Sequence, residues 1–421
     1  MPLHLRRLAA LLTILLSIAI TGVVVLRGMG ADVATGPLPS ATPVSTPSAS
    51  ARASTGPGLA AVFAQIESQV REMRGLPAPS IGQAQVIGRA QLETELRASF
   101  DRDYPQARRD ADNLLLRSLG LLTREQDFAQ LQLQLQAGQV IGFYDDKAKR
   151  MAVVTDSGVG PEVRVTYAHE YTHALQDKAF GLASLDINAV GEDDRDLARL
   201  SLVEGDATTS MLLWAIDHLT PQELLEISRT PAPDMTGIPA WMVEELEFPY
   251  VTGASFVERL YASGGWPAVD AAFRTPPAST EQIIHPDRYT SHEAPVKVLA
   301  PALAKAMGTG WHEAPADTLG EAILSIWLKG VGVPSADAAK AAEGWGGDRA
   351  VAASGPDGAM VLALRLAWDS PADATQFAAA YAQAGSHLAL KSRLVPLSPT
   401  QSLVVQASTQ ALLDRAVAGL R

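Results

Sequence analysis

The chain has 421 residues, 47% of them hydrophobic, which is enough apolar material for sizeable cores in two or three domains. A formal charge of -12 argues against nucleic acid as a partner, because phosphate recognition needs clustered Lys and Arg. Cysteine is absent, which excludes disulfides, thiolate zinc sites, iron–sulfur clusters and cysteine nucleophiles, so any metal must be held by His, Asp or Glu.

Arg6 and Arg7 precede an uncharged run from Leu8 to Leu26, which Arg27 closes. Roughly 20 apolar residues span a bilayer, whereas the core of a cleaved signal is about 7–15 residues long. The excess of positive charge ahead of the run predicts a single-pass membrane anchor with the N-terminus inside and the rest exported. Cleavage near Ala31 to Ala34, giving a secreted protein, is the alternative. Residues 31–57 are a Ser/Thr/Pro/Ala/Gly linker with too few large apolar side chains to fold.

From Leu59 to Gln139 the apolar spacing is helical, with Phe63, Ile66, Val70 and Met73 on one face and Leu92, Leu96 and Phe100 on another. Pro77 and Pro79 separate these two helices, and Leu114 to Leu122 supply a third. The period then changes to two. Residues 139–144 and 150–155 read as strands of a hairpin around the polar turn Asp145 to Lys149.

A helix starting near Val163 to Thr166 and ending at Gly181 carries His169-Glu-x-x-His173. Histidines four apart share a helical face and can grip one metal ion. Glu170 sits at the edge of that face, where it can take a proton from water held at the metal. A long-consensus metzincin would need glycine at 176 and histidine at 179; Gln176 and Ala179 exclude it.

The third ligand is expected on the next helix, residues 195–217. Its apolar face holds Leu200, Val203, Ala207, Met211 and Trp214, and Glu204 lies within that face. A buried carboxylate needs a cation. Arg195 or Arg199 could serve, but the small Gly205 and Ala207 beside it favour the approach of another helix and a metal. Two readings stand for Asp206, orienting a ligand histidine or facing solvent; Asp177 lies one turn below His173 on the ligand face.

His169-Glu-x-x-His173 followed by a ligand glutamate on the next helix resembles the gluzincins, the thermolysin-like zinc metallopeptidases. More closely, Gly142-Phe-Tyr-Asp145, His169 to Asp177, Glu204-Gly-Asp-Ala207 and Ser279 to Pro286 together are similar to a family of exported bacterial proteins described only as predicted metallopeptidases. The wider resemblance runs from about residue 60 to the C-terminus; the gluzincin one covers the two metal-bearing helices, at a longer spacing than in thermolysin. It implies Zn2+ on His169, His173 and Glu204, Glu170 as general base, and a protein or peptide substrate. One strand of the 140–154 hairpin would hold that substrate, or be purely structural. The resemblance also implies an oxyanion donor, for which His285 and Tyr289 are the candidates; capping and loop-locking are the other roles open to Ser279, Glu281 and His285.

A helix over residues 248–263 stops at Gly264-Gly265, and a polar loop follows over 276–289. Beyond 300, Leu319 to Leu328 reads as a helix, Gly344 to Arg349 as a turn, Met360 to Trp368 as a strand, Ala372 to Ala382 as a helix, Leu388 to Val395 and Ser402 to Gln406 as strands, and Ala411 to Leu420 as a helix. The expected fold is α+β. It comprises an anchor (1–30), a linker (31–57), a mainly helical zincin-like core with a small sheet or hairpin (58–300) and a small α+β C-terminal domain (301–421). The expected function is zinc-dependent peptide hydrolysis outside the cytoplasm. A non-catalytic zinc-binding envelope scaffold and a hydrolase of non-peptide amides are the alternatives.

Overall fold

The computed structural model describes residues 58–137, 142–154, 158–230, 234–385 and 387–421. The expected membrane segment, the linker and residues 139–141 of the first predicted hairpin strand lie outside the described residues. Among the described residues no helix is long and apolar enough to cross a membrane.

The fold is α+β with a mainly helical core. Helix α1 (Leu59–Arg74) lays Phe63, Ile66 and Val70 against the metal-motif helix, with Phe63 stacked on Tyr167 at 4.1 Å between ring centroids. Helices α2 (Arg89–Asp103), α3 (Gln106–Leu119) and α4 (Phe128–Ala137) follow. Strand β1 (Gln85–Ile87) intervenes before α2 and pairs in parallel with residues 152–154. Three residues are too short for alternation to announce a strand.

Strands β2 (Gly142–Asp145) and β3 (Arg150–Val154) form the expected antiparallel hairpin, giving the sheet order β1-β3-β2. Helix α5 (Pro161–Phe180) begins earlier than expected, because Pro161 fits the first turn where no N–H is needed, and it ends at left-handed Gly181. Helices α6 (Asp193–His218) and α7 (Pro221–Ser228) come next. The helix expected over 248–263 is part of α8 (Ala240–Arg274), which is broken, not ended, at Gly264-Gly265. Gly265 takes φ +64, and the chain resumes its helix through Pro267. The polar loop after it winds into two single-turn helices, α9 (Thr280–Ile284) and α10 (Pro286–Thr290).

The C-terminal part holds α11 (Leu303–Met307), β4 (His312–Glu313), α12 (Gly320–Gly330), α13 (Ser335–Ala342), β5 (Trp345–Ser354), β6 (Met360–Trp368), α14 (Pro371–Ala384), β7 (Lys391–Ser398), β8 (Gln401–Ala407) and α15 (Gln410–Leu420). Its sheet is antiparallel in the order β4-β5-β6-β8-β7. Alternate residues serve opposite cores. Ala350, Ala352, Leu362, Leu364 and Val404 face Trp327, Phe377 and the α3 end at Leu119, while Val351, Ala353, Val361 and Leu403 face Leu303, Met307, Leu413 and Val417. The first of these cores also takes Phe100, Trp241 and Tyr250, so the helical part and the sheet share apolar packing. The turn expected at Gly344 to Arg349 is instead the start of β5. Its glycines mark a register shift beside Trp345 and a close approach, Val296 N–H donating to Gly346 O at 2.6 Å with no room for a side chain at Gly347.

Candidate metal centre

Three elements meet around the motif helix. The face of α5 that carries His169 and His173 packs on α6, and α6 crosses α8 at Gly205 and Gly253. A methyl group on Gly205 would lie 2.9 Å from Ala254 N and closer still to the Gly253 carbonyl, so the two helices touch backbone to backbone. This contact seats Glu204 against both histidines from one side and Tyr250, one turn before Gly253, over them from another.

The donor atoms of His169, His173 and Glu204 lie within 4.8 Å of one another. His169 Nε2 is 3.0 Å from His173 Nε2 and 3.2 Å from Glu204 Oε2; His173 Nε2 is 3.6 Å from Glu204 Oε1. Donors about 2.0–2.1 Å from a tetrahedral ion stand about 3.3 Å apart, so the triangle has the size such an ion requires. Two further observations fit a cation there. Two imidazole nitrogens face each other at hydrogen-bond distance and can share only one proton, and Glu204 Oε1 is buried without a hydrogen-bond partner among the described residues. Burial pulls His169 below the ordinary histidine range, with the His173 charge adding to it. Burial also opposes charge on His173 and Glu204, but their mutual attraction outweighs it: His173 is pushed up to about 9 and Glu204 is held below the usual carboxylate range.

His173 is oriented through a chain of buried polar groups. Its Nδ1 meets Gln176 Oε1 at 2.8 Å, and Gln176 Nε2 donates to Val203 O at 2.9 Å and to Asp206 Oδ2 at 2.8 Å. Arg74, the buried last residue of α1, donates to both Asp206 oxygens at 2.8 and 3.2 Å. The same guanidinium pairs with Asp270 at 2.7 Å and lies 4.4 Å from the centre of the Trp266 ring. Asp206 therefore acts on His173 one step removed, through Gln176.

Glu170 is 3% exposed. Burial raises its carboxyl to about 7, the Glu204 charge adding while His173 and the Tyr144 backbone N–H oppose. Gly142 of β2 passes so close to Thr166 and Glu170 that a methyl group there would stand 2.9 and 3.3 Å from their side chains. The hairpin edge thus runs directly over the general-base candidate. Tyr250, which the sequence reading missed, stacks on His169 at 6.3 Å and hydrogen-bonds Glu204.

Three expected site residues are directed elsewhere. His285 Nε2 pairs with Glu321 Oε1 at 2.9 Å, and the Tyr289 hydroxyl donates to Thr275 O at 2.8 Å while its ring packs edge-on against Phe256. Folding of their loop into α9 and α10 spends both polar groups on local locking. Asp177 accepts from the Tyr144 hydroxyl at 2.7 Å and from Lys149, so it pins the hairpin to α5 and orients no histidine.

A family model for a domain of unknown function, DUF8575, matches residues 308–414. That stretch holds the five-stranded sheet and none of the residues around His169. No curated protein and no solved structure matches the chain.

Proposed function

We propose that the protein is a zinc-dependent peptidase with His169, His173 and Glu204 as metal ligands and Glu170 as general base, held outside the cytoplasm by its N-terminal segment. The observation that carries this reading is the 3.0, 3.2 and 3.6 Å donor triangle with the buried carboxyl of Glu170, the residue next to His169, beside it. A purely structural site needs ligands but no such base. Zinc bound there would polarise a carbonyl and make water acidic enough to lose a proton near neutral pH.

The chain's own groups do the rest. Glu170 accepts a proton from the attacking water and returns it to the leaving amine. The Tyr144 N–H holds the carboxylate in place. Tyr250 keeps a phenol beside Glu204; with that carboxylate on the metal, its O–H would turn to negative charge developing on the substrate oxygen. Among the described residues β2 pairs only with β3, so its other edge can hydrogen-bond an extended peptide without reading side chains.

One observation favours a second reading, a metal-binding scaffold without turnover: His169 and Glu204 are fully buried, so a substrate reaches them only if the elements around them move. Metal analysis with a peptide-library digest separates the two. Zinc in wild type and in Glu170→Gln, with cleavage only in wild type, supports the peptidase. Zinc without cleavage by wild type supports the scaffold. Metal content unaffected by Glu204→Gln overturns the ligand assignment.

A further inference from the structure

The Ser279 to Pro286 stretch, left without a part in the chemistry above, leads to a second cluster. Glu281, Glu293 and Asp369 each offer a carboxylate oxygen within 4.8 Å of the others. Glu281 is 2% exposed, and its Oε1 is buried with no hydrogen-bond partner among the described residues. A buried carboxylate left in that state is costly unless a cation stands beside it. The local protein cation is insufficient. Arg288 bonds Glu293 and, at 3.0 Å, one oxygen of Asp369, so one positive charge faces three carboxylates. Glu321, close enough to repel Glu281, is already paired with His285.

The backbone around the cluster is fixed before any ion arrives. Glu281 lies in the first turn of α9, Gln282 Nε2 donates to Glu293 O at 2.6 Å, and Asp369 N–H donates to Gly344 O at 3.0 Å. The donors are all oxygen, with no imidazole among them. That set suits a hard, geometrically tolerant ion and not zinc.

We infer that Glu281, Glu293 and Asp369 form a calcium site that clips the segment after α8 to the end of strand β6. The clip joins the helical part to the sheet across nearly ninety residues of chain, independently of the His169 centre. Three carboxylates, two of them shared with Arg288, suit a dissociation constant of about 0.1–1 mM, the range of extracellular calcium modules.

The test is calorimetric titration of Ca2+ into full-length protein freed of divalent ions, with thermal unfolding followed in parallel. One ion per chain should bind, and the unfolding midpoint should rise with calcium concentration. Glu281→Gln changes a carboxyl whose buried Oε1 makes no hydrogen bond among the described residues, and Asp369→Asn is the second variant. Each should weaken calcium at least ~10-fold through the lost ligand charge, and Glu204→Gln, which strips the other centre, should leave calcium binding intact. Absence of saturable binding to wild type, with a proton on Glu281 instead of the ion, overturns the inference. Binding that survives both carboxylate variants, or disappears in Glu204→Gln, overturns it as well.

Discussion

Gly205→Ala sets two physical effects of opposite sign against each other. In an isolated helix the change is worth roughly 1 kcal/mol in favour of alanine. In α6 the added methyl would stand 2.9 Å from Ala254 N and closer to the Gly253 carbonyl, whereas ordinary contact begins at 3.4 Å. Neither obstacle is a side chain that can rotate away, so α6 and α8 must part by roughly half an ångström or more in a close-packed interior. Overpacking of this kind costs typically about 1–3 kcal/mol, and the absence of soft neighbours puts Gly205 at the upper end. The net loss is about 1–2 kcal/mol, equivalent to a fall of about 2–8 °C in the thermal midpoint of a unit this size. Gly253→Ala meets Ser201 across the same crossing and should behave alike. Because one separation accommodates both methyl groups, the double variant should lose less than the sum of the two. Calorimetry of the three variants decides the matter. A Gly205→Ala protein that melts above wild type, or strictly additive losses, would refute the backbone-contact argument.

Arg74→Met leaves Asp206 charged, buried and short of its bidentate partner, which should destabilise the protein by about 3–5 kcal/mol. Through Gln176 and His173 it should also weaken zinc about 10–100-fold, measured by competition with a chromophoric chelator; unchanged affinity in a folded variant would break the proposed chain. Asp194 gives a pH prediction: burial first, then the charges of Asp348 and Glu321, against bonds from Thr280, push its carboxyl up to about 7. The folded protein therefore holds a proton that the unfolded chain releases near 3.8, so this group's contribution is full in acid and declines as pH rises towards 7. Asp194→Asn should flatten the fall in urea midpoint between pH 5 and 7, and a slope identical to wild type would contradict it.

The two histidines and Glu204 were legible because each violates a local expectation that chemistry can resolve: imidazoles at helical spacing with a glutamate between, and a carboxylate on an apolar face. Tyr250 was not, since an aromatic residue on a buried helix reads as core, and only the Gly205 to Gly253 crossing puts its hydroxyl at Glu204. Arg74 reads as a basic residue closing a helix, and its burial depends on Asp206 and Asp270, more than a hundred positions away. His285 and Tyr289 misled for the converse reason. A loop dense in polar groups announces a hydrogen-bond network, and it does not say which way the network faces.

Glu204-Gly-Asp206 shows where such local exceptions lead. Three consecutive residues in the middle of a 26-residue helix run against burial or helix propensity, and each exception has its own partner. The carboxylate of Glu204 meets the two histidines, the missing side chain of Gly205 admits the backbone of α8, and Asp206 meets Gln176 and Arg74. Helix geometry turns successive residues by about 100°, so three adjacent positions address three different neighbours. One short segment thereby joins α1, α5 and α8 around His169. This is why a methyl group at Gly205 should register in metal affinity as well as in stability.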